Sequence, residues 1–215
     1  MRLNGGVKRD PQTPVHIAHD RIVVDGLAIE AAQKIYLMMN KPRGQVTTAS
    51  DEKGRETVYS ILKASDSLPW VAPVGRLDKA SEGLLLMTND SKWGAYIAAP
   101  ETHLEKTYHV QIDGVADDAF IHGLERGVRA EDGELLRAAR CRLLRSGEKN
   151  CWLEITLDEG KNRHIRRMLE ALGVEVLRLV RVAIGPLQLG TLAKGTYRRL
   201  TSGEKLLLDR AMRRE

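Results

Sequence analysis

Apolar positions along this chain come in short runs separated by polar punctuation, and their spacing changes from run to run. The segments Ile35–Asn40, Trp70–Val74, Lys106–Ile112 and Val176–Ile184 are patterned as strands, and Val46–Ala49 is expected to be extended. Leu84–Met87 is short and continuously apolar, the pattern of a strand buried on both faces. Leu135–Leu144 and Cys151–Leu157 predict a hairpin around Ser146-Gly147-Glu148-Lys149-Asn150. Thr57–Lys63, Trp93–Ala98 and Asp117–Arg126 predict short helices, the second entered through a cap at Thr88-Asn89-Asp90. The best-defined helix carries Ile165, Met168, Leu169 and Leu172 at i, i+3, i+4 and i+7, with Gly173 as its stop. Arg163, Arg166 and Arg167 then lie off that stripe. Thr201 and Glu204 have capping-box spacing for a last helix through Leu208 and Ala211. Many short strands with interleaved helices, and no regular βαβ alternation, predict an α+β fold with a largely antiparallel mixed sheet.

Residues 1–34 differ from the rest. They are polar and punctuated by Gly5-Gly6, Pro11 and Pro14, with one strand candidate, Arg21–Val24, closed by Asp25-Gly26. They are expected to form a short N-terminal arm ahead of one domain spanning 35–215. The chain has 215 residues, 42% apolar and 29% charged, an ordinary globular balance. No apolar run approaches the ~18 residues of a membrane span, and the start has no signal-peptide pattern, so a cytoplasmic protein is expected. Cys141 and Cys151 frame neither a disulfide scaffold nor a metal site.

Charge narrows the partner. The net charge is +5, yet residues 161–215 hold 13 Lys and Arg against 5 Asp and Glu, while the first 160 hold 21 against 24. A basic surplus confined to the last quarter suits a polyanion. Aromatic residues are only 4%, which argues against a single-strand binder built on many stacking platforms. Phosphate-binding Gly-rich loops and the Gly-x-Ser-x-Gly elbow are missing, and His16 and His19 have no partner cluster, so neither metal nor nucleotide cofactor is expected. What remains is Asp78, closing Pro73-Val-Gly-Arg-Leu-Asp78 between two apolar strands. A lone Asp there is by default a turn former. Gly75, Arg76 and the flanking apolar strand instead suggest a carboxylate held by a rigid frame.

The run Gly75-Arg-Leu-Asp-Lys-Ala-Ser-Glu-Gly-Leu-Leu-Leu-Met-Thr-Asn-Asp90 resembles the signature loop of bacterial rRNA pseudouridine synthases of the RsuA/RluE type. Lys41-Pro-Arg-Gly44, Lys106-Thr-Tyr108, Gly160-Lys-Asn-Arg-His-Ile-Arg-Arg-Met168 and Gly195-Thr-Tyr-Arg-Arg-Leu200 are similar to further family motifs, in the family's order. His164 stands where the family usually has Gln, and Ser81 where many members have Thr. Residues 1–34 are too short and polar for the helical α-L RNA-binding module that precedes many relatives.

The resemblance implies the pseudouridine synthase fold and conversion of an rRNA uridine, by base flipping, without cofactor. It implies Asp78, Tyr108 and Arg166 as catalytic residues, Arg166 being the ion-pair partner of Asp78. Arg76, Lys106, Arg163, Arg167, Leu179 and Lys41 are implied as substrate-binding. The aspartate could attack C1′ or take a proton from C2′; the sequence leaves both open. The expected partner is rRNA, large-subunit rRNA in particular, or a ribosomal subunit, met by a monomer. The rival is a non-catalytic RNA-binding or ribosome-assembly protein on the same fold, which would have no need of a carboxylate among phosphates. A glycosidase would need a second, suitably placed carboxylate.

Overall fold

The computed structural model describes residues 1–16, 19–29, 33–63 and 68–212. Contacts divide the chain into two units, Met1–Lys34 and Ile35–Glu215. The first holds β1 (Arg2–Leu3), β2 (Gly6–Val7), β3 (Ile22–Val24) and β4 (Leu27–Ile29), an antiparallel sheet in the order β2-β1-β3-β4. Two tight turns make it. Asn4-Gly5 (φ 50° and 85°) and Asp25-Gly26 (φ 51° and 85°) both take the left-handed pairs that two-residue hairpins require. The sequence reading, an arm with a little extended structure, recognised only the second of these turns.

The second unit runs β5 (Tyr36–Lys41), α1 (Tyr59–Leu62), β6 (Ala72–Val74), β7 (Glu82–Thr88), α2 (Ser91–Ala98), β8 (Lys106–Asp113) and α3 (Asp118–Arg126). It continues through β9 (Val128–Arg129), β10 (Leu135–Leu136), β11 (Arg140–Ser146), β12 (Asn150–Leu157) and α4 (His164–Glu170). β13 (Val176–Ile184), β14 (Leu187–Gln188), β15 (Tyr197–Arg199) and α5 (Ser202–Ala211) complete it. The main sheet has the order β11-β12-β8-β13-β7-β5-β15. Only its β13–β7 pairing is parallel among these neighbours, which makes it the largely antiparallel mixed sheet of an α+β fold.

β7 is buried along its whole length because its side chains feed both sides of the sheet. Leu84 and Leu86 join Met38, Trp93, Ile97 and Leu208, whereas Leu85 and Met87 join Leu37, Met39, Val58 and Leu62. A third cluster packs Val110, Leu153 and Ile155 against Leu124 of α3 and Met168 and Leu169 of α4. These clusters hold β7, β8, β13 and α4 rigidly, and the loops between them make the site.

Three expectations shift. Val46–Ala49 forms only an isolated bridge, Val46 to Thr57, and the Thr47 hydroxyl beyond it donates to the Leu77 carbonyl. The span Leu135–Leu144 divides: β10 pairs with β9, and the ladder to β12 begins at Arg140. The helical stripe ends before Leu172, which is 41% exposed. Gly173 (φ 71°) turns the chain so that the Val174 amide donates to the Leu169 carbonyl at 3.0 Å and Val174 packs on the cluster instead.

Candidate active site

The loop from Gly75 to Ser81 joins β6 to β7, and its backbone is pinned at five consecutive carbonyls. Thr47 Oγ1 donates to the Leu77 carbonyl (2.8 Å), and Lys41 Nζ to those of Asp78 (3.1 Å) and Ser81 (2.8 Å). The Gly44 amide donates to the Lys79 carbonyl (2.8 Å), and Arg166 Nη2 to that of Ala80 (3.0 Å). Thr47 Oγ1 also accepts from the Leu77 amide at 3.3 Å, so a single hydroxyl clamps one residue twice. Leu77 is buried beneath the loop. The Asp78 side chain is 32% exposed, on a backbone with little freedom to move.

Lys41 departs from its expected role. It is 0% exposed, and its ammonium donates to the carbonyls of Pro42 (3.1 Å), Asp78 and Ser81 rather than facing a substrate. Burial pulls it down from 10.5 to about 8, against the opposing pull of Asp78 and Glu82. It is the pin of the loop. Glu82, just past the loop, is also buried. Burial pushes its carboxyl up, but Arg178 and Lys194 together outweigh that and hold it below the usual range.

The loop forms one wall of a cleft of about 190 Å³. Tyr108 from β8 and Leu179 from β13 give it an apolar surface; Arg163 and Arg166, at the start of α4, give it charge. Lys106 and Arg181 also line it. Burial and the nearby Arg181 hold the Lys106 ammonium below its ordinary range, Asp158 opposing. Arg181 is buried and donates from Nε to the Leu84 carbonyl at 2.7 Å. Among the described residues two carboxylates line the cleft. Glu159 is held by Lys161 at 2.7 Å, whereas the nearest cation to Asp78 is Arg163, whose Nη1 lies 3.7 Å from Oδ2.

The ion pair with Asp78, expected at Arg166, is made in the structure by Arg163. Arg163, expected at phosphate, is the cation paired with the Asp78 carboxylate, and it has a left-handed backbone (φ 48°). Such a conformation costs a non-glycine residue ~1–3 kcal/mol and is found at functional sites. Arg166 braces the loop through Ala80 and keeps a buried Nε without a partner. Burial and neighbouring Arg163 lower its guanidinium pKa, with Asp78 opposing.

Of the remaining expected residues, Arg76, Lys106, Tyr108 and Leu179 line the cleft with Asp78, and Arg167 does not. Arg167 donates to Asp132 (2.6 Å) and Glu134 (2.8 Å), so its charge is spent within the protein. Sequence reasoning missed Thr47, which carries no motif. It also missed Arg181, whose signal was an arginine near the middle of a strand made up, apart from Arg178, of apolar residues. His164 is buried on the cleft wall, with neither ring nitrogen reaching a partner at full hydrogen-bond geometry. Burial and Lys161 hold it below the usual histidine range.

Comparison with known proteins gives this arrangement its class. Residues 35–171 match the family described as RNA pseudouridylate synthase. The chain is 35% identical over 206 residues to "Ribosomal large subunit pseudouridine synthase B" of Bacillus subtilis, covering 95% of this chain and 83% of that protein. It is 36% identical over 213 residues to an uncharacterised RNA pseudouridine synthase of Aquifex aeolicus, covering 99% and 84%. A crystal structure of a pseudouridylate synthase superposes with a TM-score of 0.70 at 27% identity, covering 96% of this chain and 87% of that one. The chain belongs to the RNA pseudouridylate synthase family. It is an RNA pseudouridine synthase with that family's fold. Among the described residues no helix is long and apolar enough to cross a membrane.

Proposed function

We propose that this enzyme isomerises one uridine of large-subunit rRNA to pseudouridine, with Asp78 as the carboxylate that acts on the sugar. The observation that carries the reading is the contrast at Asp78. Its loop is tied down at five carbonyls, while its carboxylate opens to a cleft walled by Tyr108 and Leu179. The name of the Bacillus subtilis relative supports the choice of RNA.

The reaction breaks the C1′–N1 bond, turns the uracil, joins C1′ to C5, and moves the C5 proton to N1 by way of solvent or a base. Two routes use the same carboxylate: attack on C1′, or removal of a C2′ proton to give a glycal. Either needs Asp78 ionised, and Arg163 supplies the nearby cation. The uridine must first leave its stack, which costs roughly a few kcal/mol. Arg76, exposed at the lip of the cleft, is placed to fill the gap, while Tyr108 and Leu179 receive the base. The Tyr108 hydroxyl serves the proton leaving C5. Arg166 holds the loop and, with Lys106, offers charge to the flanking phosphates.

Mapping pseudouridines in rRNA from cells with and without the gene tests the substrate. Loss of one large-subunit pseudouridine, restored by the parent gene, is the expected result. Loss confined to small-subunit rRNA or tRNA overturns the assignment.

A further inference from the structure

On the sheet face away from the cleft, the half formed by β11, β12, β8 and β13 carries an aromatic side chain between two guanidinium groups. Alternation along β12 sends Cys151, Leu153 and Ile155 into the core and leaves Trp152 and Glu154 on the other face. The register places Trp152 opposite Gln111, and Arg178 next to Gln111 on the far side. On the edge strand β11 the ladder slips between Leu143 and Arg145. One residue is inserted there, and the bulge returns Arg145 to the same face as Arg142, directly opposite Trp152. Arg145 Cζ lies 5.1 Å from the indole ring centre and Arg178 Cζ lies 5.6 Å from it.

Around the indole is a shallow hollow of about 410 Å³ lined by His109, Leu144, Arg145, Trp152, Arg178 and Val180. Among the described residues no carboxylate lines it. Of the carboxylates that pair with residues of this face, Glu154 is held by Arg142 and hydrogen-bonds His109, and the single carboxylate of Glu82 is shared between Arg178 and Lys194, while Arg145 has no carboxylate partner among the described residues. The face therefore has cationic capacity to spare. An aromatic plane beside guanidinium planes is a surface on which unpaired bases stack, with the positive charge meeting the adjoining phosphates.

We propose that the Trp152–Arg145–Arg178 hollow is a second RNA-binding site, taking an unpaired segment of the substrate RNA outside the cleft. The proposal rests on the reading of the substrate as a long RNA. It commits to RNA over an acidic polypeptide because the hollow offers flat π surfaces together with charge. The site would let the enzyme read RNA at a distance from the target uridine, which a pocket for one nucleotide cannot do.

The test is binding of a protein-free rRNA fragment containing the target, measured at several salt concentrations without reference to turnover. Arg145→Glu should weaken binding about tenfold and lower the salt slope by about one phosphate's worth. Arg126→Glu, the same charge change on exposed α3, should leave both nearly unchanged. RNA should also quench part of the tryptophan fluorescence, and Trp152→Phe should abolish that part. Equal affinity and slope for Arg145→Glu and the parent, with quenching intact in Trp152→Phe, would overturn the proposal. Quenching by polyglutamate but not by RNA would also overturn it, in favour of a protein partner. If the parent itself fails to bind the fragment, the proposed function fails instead.

Discussion

Two arginines three positions apart do different work at Asp78. Arg163 is half exposed and lies 3.7 Å from the carboxylate, whereas Arg166 donates to the Ala80 carbonyl of the loop. Arg163→Met should lower the single-turnover rate at saturating RNA and leave the melting temperature unchanged. Arg166→Met should lower both, because it removes a charge-assisted hydrogen bond, worth about 1.5–3 kcal/mol, from a partly buried loop carbonyl. Rates and melting curves of the two variants check this; matching losses of stability would contradict it. Lys41 adds a pH dependence. Its folded value, about 8, lies below the ordinary 10.5, so the unfolded chain binds more protons between these values and this group's contribution to stability rises with pH there. The loop responds in the opposite direction. A neutral amine has two N–H groups for three carbonyls, so one anchor is lost as Lys41 deprotonates. Single-turnover rates should fall with a midpoint near 8 while the protein stays folded, and a flat profile to pH 9.5 would remove Lys41 from control of the loop. The residues themselves were legible: Asp78, Tyr108 and both arginines belong to motifs, and Leu179 was implied by the resemblance alone. Their directions were not. A Lys-Pro turn does not disclose whether the ammonium points inward, and the left-handed backbone of Arg163 re-aims it by geometry that no side-chain pattern encodes.

At the scale of elements, periodicity located the strands and helices that bury apolar faces, and failed where polar groups decided. β7, α2 with its Asp90 cap, α3 and β13 lie close to their expected places because each feeds a cluster or satisfies a cap. The segment after Val46 does not: it buries no apolar face, and its Thr47 hydroxyl bonds to Leu77 of the Asp78 loop. The parallel β7–β13 pairing, which sets β13 and Leu179 beside the loop, depends on Gly83. It has φ 101°, and a β-carbon there would collide with the backbone carbonyl oxygen of Arg181. Gly83→Ala should therefore combine backbone strain of ~1–3 kcal/mol with overpacking of similar size. A fall in melting temperature of roughly 5 °C or more is expected. A parent-like melting curve would mean the two strands are not so closely set.

For the whole molecule, charge counted along the sequence overstated what faces RNA. Within the basic last quarter, Arg167, Arg198 and Lys205 are engaged by carboxylates of this chain, and Arg178 and Lys194 share the single carboxylate of Glu82, which leaves one charge in surplus. Arg163, Arg166 and Arg181 remain on the cleft wall. The salt dependence of RNA binding should then correspond to only a few phosphates, each contributing a slope close to one. Free uridine should not react, because it lacks the flanking phosphates and nucleotides whose binding positions the base in the cleft. Turnover of uridine, a short oligomer and an rRNA fragment at two salt concentrations checks both points, and rapid, salt-insensitive conversion of the nucleoside would contradict them.

The central claim is that the Asp78 carboxylate performs the chemistry while the rest of the cleft holds the RNA. Asp78→Asn keeps the side chain's shape and removes its charge. Tritium release from rRNA labelled at uracil C5, measured beside RNA affinity for the same variant, tests the claim most directly. The account predicts no release above background with affinity within a few-fold of the parent; release within a few-fold of the parent would contradict it.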